Sequence, residues 1–198
     1  MSLEGKVIVF EGTDGVGKST QANMLSARLR RTDHDVLQIS TPSALYRQDP
    51  HVIIYNTTGE SLLSPTVLSV MSAADRLRTY ETEIKPHIDG GGVVVCDRYK
   101  FSAEAYFKMR GADMPTLRAI HQHLPDPDYA VLLTIDAVAR SARLLRRATT
   151  NDWEEQDMSY LDNIQDSMKS SWKAQFKIVD ASQEVGDIAE EIAEYVGA

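Results

Sequence analysis

A three-layer α/β/α sandwich around a parallel sheet of about five strands is the fold the sequence predicts, on three observations. Short runs rich in Val and Ile alternate along the 198 residues with segments of helical spacing. These runs are continuously apolar, as in strands covered on both faces. A glycine-rich turn joins the first run to the first helical segment, the connection typical of an open α/β sheet whose ligands sit at the carboxyl ends of its strands.

Taken in order, Lys6 to Phe10 reads as a buried strand ending at Glu11-Gly12. Ala22, Met24, Leu25 and Leu29 give a helix as far as Arg31, and Val36 to Ile39 gives a second strand. Residues 41–62, with Pro42, Pro50 and Gly59, read as a long irregular loop region. A helix starts with Ser64 as N-cap and Pro65 at its first position and ends near Pro86. Val67, Leu68, Met71, Ala74, Leu77 and Ile84 share one face of it. Gly90-Gly91-Gly92 leads to the strongest strand, Val93 to Cys96. Helices are expected near 102–109 and 115–123, a strand at Tyr129 to Ile135, and a basic helix from Ala137 to Arg147 that breaks over Ala148 to Asp152. Helix resumes over 155–175, and a strand from Lys177 to Val179 and a helix from Val185 to Val196 follow. One domain over 1–198 is expected, with no internal repeats.

Bulk properties narrow the function classes. A formal charge of −8 argues against nucleic acid as partner, which needs a basic footprint, but leaves room for a small anion in a cleft of focused arginines. The single cysteine, Cys96, has no internal disulfide partner, so a reducing, cytoplasmic setting is expected. No apolar run reaches the roughly 18–20 residues that span a bilayer, so no membrane is expected as partner.

Gly12-Thr13-Asp14-Gly15-Val16-Gly17-Lys18-Ser19 satisfies the P-loop pattern G-x-x-x-x-G-K-[ST], between a strand and a helix as the pattern requires. Its glycines let backbone N–H groups converge on phosphate oxygens, and the helix N-terminus adds partial positive charge. Lys18 is expected on the β- and γ-phosphates of ATP, the Ser19 hydroxyl on Mg2+, and Thr20 near the α-phosphate. Asp97, at the carboxyl end of a buried strand, either holds magnesium or its waters or caps the next helix. Arg98 beside it has the forked donors to bridge two phosphates.

With these blocks, the chain resembles the thymidylate kinase family over most of its length. The carrying residues are Phe10 to Thr20, Ala74-Asp75-Arg76, Ile84-Lys85-Pro86, and Asp97-Arg98-Tyr99 with Ser102 and Ala105-Tyr106. The resemblance implies ATP-dependent phosphorylation of a nucleoside monophosphate, dTMP before others, to the diphosphate. It places Asp14 near the acceptor sugar and phosphate, Arg76 on the pyrimidine base, Arg98 on the acceptor phosphate, and Tyr106 under the deoxyribose; Ser102 joins this substrate set. Read without the family, Arg76 has the alternative of a solvated partner for Asp75, and Tyr106 is equally core. A homodimer through the helix at 64–86 is expected from the same resemblance, although that apolar face serves equally as intramolecular core.

Some thymidylate kinases carry a catalytic arginine inside the P-loop, and this chain has none there. The supply is expected from a short lid at about 140–154, in the cluster Arg140, Arg143, Arg146 and Arg147, with Arg143 and Arg147 the catalytic candidates beside Asp14, Lys18 and Arg98. Arginines at a helix end also complement its dipole. Base-side positions depart from the family pattern: Thr41 before Pro42 in place of an aromatic or glutamate, Ser72 for the stacking phenylalanine, Ala103, Phe107 for glutamine, and Trp153 for the lid arginine. Val70, Met71 or Phe101 are candidates to fill that space. The departures keep open a different small-molecule acceptor, and a regulatory nucleotide-binding protein without turnover is the rival from another class.

Overall fold

The chain, described by a computed structural model over residues 3–146, 152–172 and 174–198, is built on one parallel sheet of five strands in the order β2-β3-β1-β4-β5. The strands are β1 (Val7–Glu11), β2 (Val36–Ser40), β3 (Val93–Asp97), β4 (Tyr129–Thr134) and β5 (Lys177–Asp180). Val9 of β1 lies opposite Cys96 of β3 and Ala130 of β4. Alternate residues of a strand point to opposite faces, and the core divides accordingly. Ile8, Phe10, Val95, Val131 and Leu133 pack under α1 (Lys18–Arg31) and α10 (Val185–Val196). Val7, Val9, Val94, Cys96 and Leu132 pack under α6 (Lys100–Met109) and α9 (Met158–Ser171), each buried aliphatic contributing about 1.5–3 kcal/mol.

The expected loop at 41–62 contains two helices, α2 (Ala44–Arg47) and α3 (Pro50–Thr58). The signals for α3 are local: Asp49 caps it through the N–H groups of His51 and Val52, Pro50 sits in its first turn, and Gly59 ends it in a left-handed conformation. The next helix, α4 (Pro65–Thr79), starts as expected, with Ser64 accepting from the Val67 N–H. It continues through a π-helical turn at Tyr80–Ile84 into α5 (Lys85–Asp89) and so passes Pro86. Pro86 has no N–H to donate and its ring crowds the preceding turn; a wider turn relieves both problems.

The buried face of α4 is rotated from the expected one. Leu68, Ser72, Ala73, Asp75 and Arg76 are buried, whereas Val67 and Ala74 face outward. Polar groups turned toward a cleft explain the rotation. A third apolar cluster joins α3, α4, α6 and α7 (Met114–His121) through Val52, Tyr55, Leu68, Ala103, Phe107 and Leu117. Beyond β4, α8 spans Ala137–Leu145, and a 3-10 turn at Trp153–Gln156 precedes α9. Arg147 and the lid break at 148–151 lie outside the described residues.

Candidate active site

A cleft of about 750 Å3 opens beside the carboxyl ends of β1 and β3. Its floor is the loop from Gly12 to Gly17, where Gly12, Gly15 and Gly17 adopt φ of 141°, 81° and 98°. A Cβ on Gly12 would lie 2.6 Å from the Leu133 carbonyl oxygen, so the loop is pressed against β4 and only glycine fits. Lys18 is buried and donates to the Thr13 carbonyl at 2.8 Å. Burial, then the charge of Arg98, lower its ammonium to about 8 against the pull of Asp14, Asp97 and Glu11.

Asp14, within the loop, accepts from Arg98 Nη2 at 2.6 Å and from the Tyr106 hydroxyl at 3.0 Å. Burial alone would raise its carboxyl, but the charges of Arg98 and Lys18 and these hydrogen bonds hold it well below the usual range. The Arg98 guanidinium also lies 5.2 Å from the Tyr106 ring centre. Tyr106 therefore combines the two readings of it: it lines the cleft with its hydroxyl engaged and also packs into the core cluster beneath α6.

Asp97 does not cap α6. Its Oδ2 accepts from the Ser19 hydroxyl at 2.5 Å, and its buried Oδ1 has no hydrogen-bond partner among the described residues. Arg98 next to it has a positive φ of 68°, uncommon for a side chain of this size, and the surroundings impose it. The Arg98 N–H donates to Phe10 O at 2.9 Å, and its carbonyl accepts from Thr41 Oγ1 at 2.7 Å and Cys96 Sγ at 3.0 Å. The following N–H, of Tyr99, donates to Glu11 Oε1 at 2.9 Å. Thr41, one of the departures from the family pattern, thus clamps the peptide that aims Arg98.

At the acceptor end, Arg76 is 3% exposed and donates through Nε to Tyr99 O at 3.0 Å and through Nη1 to Ser72 O at 3.1 Å and the Ser72 hydroxyl. Burial lowers its pKa to about 10. It is no solvated partner for Asp75, whose carboxylate accepts from the Ser43 N–H at 2.6 Å and hydroxyl at 2.5 Å. Ser102 lines the cleft beside Arg76. Val70, Met71 and Phe101 do not line it; Phe101 packs edge-on to Trp172 and Phe176. Tyr46, Ala103 and Phe107 line that end instead.

At the opposite end the cleft is lined by Arg143, Val185 and Ile188. Arg143 donates to Val16 O at 3.2 Å and Ala181 O at 2.6 Å, spanning from the loop to the end of β5. Arg140 is not part of the arginine supply. It is fully buried, with its stem packed behind Gly15, and its guanidinium ties α8 to α9 through Asp162 at 2.6 Å and to Ile135 O at 3.0 Å without lining the cleft.

Among the charged cleft residues that sequence reasoning missed are Arg47, Arg110 and Glu154. Arg47, on α2, donates to Ser40 Oγ at 2.6 Å; burial and then the nearby charge of Arg98 lower its pKa. Arg110 and Glu154 form a bidentate pair at 2.8 and 2.6 Å. No local spacing signals any of these, because each reaches the site by tertiary folding.

Comparison with known proteins agrees with this geometry. The profile described as thymidylate kinase matches residues 10–192. The thymidylate kinase of Desulfotalea psychrophila is 31% identical over 191 residues, 95% of this chain and 92% of that protein. A probable thymidylate kinase of Pyrococcus horikoshii is 32% identical over 155 residues, 77% of this chain and 76% of that protein. In fold, the chain is similar to the solved thymidylate kinase of Candida albicans, with a TM-score of 0.77 at 22% identity, covering 98% of this chain and 92% of that one. Matched along nearly its whole length, the chain belongs to the thymidylate kinase family, nucleoside monophosphate kinases that take their phosphoryl group from ATP.

Proposed function

We propose that the protein transfers the γ-phosphoryl group of ATP to dTMP, giving ADP and dTDP. The observation that carries this reading is the Asp14–Arg98–Tyr106 cluster, which joins the phosphate loop to the acceptor chamber within hydrogen-bond distance. An oxygen of the acceptor phosphate attacks the γ-phosphorus, and the bond to the β–γ bridging oxygen breaks. Loop N–H groups and Lys18 hold the ATP phosphates, while Arg98 and Arg47 receive the acceptor phosphate. Asp14 keeps Arg98 aimed, and Tyr106 forms the wall beneath the sugar. Arg76 addresses the base, with Ser102 beside it. Arg143 steadies the loop at the adenine end, next to Val185. Arg147 remains the candidate for a closing lid arginine.

Mg2+ fits the residues present. A serine hydroxyl and a carboxylate with an orphaned buried oxygen suit a hard cation that takes its other ligands from phosphate and water. Ser19 and Asp97 would hold it or its waters, and the ion would neutralise charge between the β- and γ-phosphates. We further propose a homodimer through the outward face of α4, where Val67 is 44% exposed, with Ile53 and Ile54 of α3 nearby in sequence at 49% and 48%. No helix among the described residues is long and apolar enough to cross a membrane. The lone cysteine, a buried free thiol, supports a reducing, cytoplasmic setting.

A coupled ADP-release assay with Mg-ATP and dTMP, dUMP, UMP, dCMP, CMP, AMP or GMP tests the reading. Preference for dTMP is expected. Turnover confined to another nucleotide would reject dTMP as acceptor, and silence across the panel with ATP still bound would reject the kinase reading.

A further inference from the structure

Arg110 ends α6 at the acceptor side of the cleft, with its side chain 11% exposed. Its guanidinium carbon lies 4.5 Å from the Tyr55 ring centre, 4.8 Å from that of Phe107 and 5.8 Å from that of Tyr106. These rings hold its faces. One edge is held by Glu154, which accepts from Nε at 2.8 Å and Nη2 at 2.6 Å and is itself fixed by the Tyr160 hydroxyl at 2.8 Å. The planar fork then turns Nη1 away from Glu154, and among the described residues Nη1 donates to nothing.

A buried ion pair is a poor device for stability alone, since apolar residues of the same volume usually serve as well. What this pair does provide is a charged donor in a fixed plane on the cleft wall. Arg76 already lines the same chamber, and it too offers only donors. Two guanidinium groups favour a ligand edge carrying carbonyl oxygens and disfavour one carrying amino groups. Glu154 comes from the turn at the carboxyl end of the lid region, so the donor is aimed only when that turn is docked.

We propose that Arg110, held by Glu154, is a specificity-determining residue for the acceptor: its Nη1 donates to a carbonyl oxygen of the base and selects keto over amino bases. This rests on the kinase reading above. It replaces, by edge recognition, the ring stacking that Ser72 cannot provide.

The test compares kcat and KM for dTMP, dUMP, dCMP and dAMP in the wild type, Glu154→Gln and the paired variant Arg110→Met/Glu154→Gln, which leaves no uncompensated buried charge. The paired variant is expected to lose about tenfold or more in kcat/KM for dTMP, chiefly through KM. The preference for dTMP over dCMP should shrink by a similar factor, with KM for ATP unchanged. Glu154→Gln, which keeps the cation and loosens its aim, should fall between. A folded paired variant with unaltered KM and base preference, and only a lower Tm, would reduce Arg110 to a structural tie and overturn the proposal. If the paired variant does not fold, Arg110→Lys, which keeps the charge without the fork, is judged by the same criterion. Wild-type silence on every nucleotide would instead overturn the kinase reading, and this inference with it.

Discussion

Lys18 carries a consequence for pH that follows from its burial. Because the folded protein holds this proton less tightly than an unfolded lysine, whose pKa is about 10.4, the unfolded chain binds more protons between about pH 8 and 10.4. In that window this group makes the ligand-free protein more stable as pH rises. ATP has the opposite effect. Its phosphates require the ammonium form, so binding must restore the proton, and affinity should fall by up to about tenfold per pH unit above pH 8. Calorimetry in buffers of different ionisation heat should register proton uptake on binding, absent in Lys18→Met. An affinity flat from about pH 7.5 to 9.5 would contradict the assignment.

Among the elements, the 3-10 turn Trp153–Gln156 joins lid and acceptor chamber. Trp153 meets Tyr55 of α3 edge-on at 5.8 Å, and its ring lies 3.1 Å from where a Cβ on Gly59 would stand. The residue that departs from the family's lid arginine is thus a hydrophobic foot seated on α3. Trp153→Ala should cost about 1–3 kcal/mol of stability and raise KM for the acceptor. Amide exchange should quicken in 50–58 and 152–156 but stay slow in the strands; unchanged exchange in α3 would mean the foot is not seated there.

Local patterns made much of this scale legible. The P-loop, the strand ending at Asp97 and the helix Val185–Val196 declare themselves in contiguous residues. The caps of α3 were equally local, but Pro50 and Gly59 read first as breakers rather than as the two ends of a helix. Arg47, Arg110 and Glu154 had no such signature, since their roles arise from contacts between elements far apart in the chain. The inward face of α4 was misjudged for a related reason: apolar spacing finds the face that avoids water, not the polar one that faces a cleft.

Across the whole molecule, the order β2-β3-β1-β4-β5 puts the loop after β1 beside the carboxyl end of β3. Glu11, Asp14, Asp97 and Arg98 therefore converge from segments distant in sequence, and sheet pairing fixes their spacing. Cys96 lies in the same region, fully buried, with its thiol against the Arg98 carbonyl. Burial, then the charges of Glu11 and Asp97, push that thiol far above the range in which it reacts. A sulfhydryl reagent can reach it only when the sheet opens, which makes this atom a clock for the opening frequency of the catalytic floor. ATP alone should slow labelling by the factor that its binding predicts, about a hundredfold at a hundred times Kd. Labelling at the same pace with and without ATP would mean that β3 parts from its neighbours without disturbing what it holds.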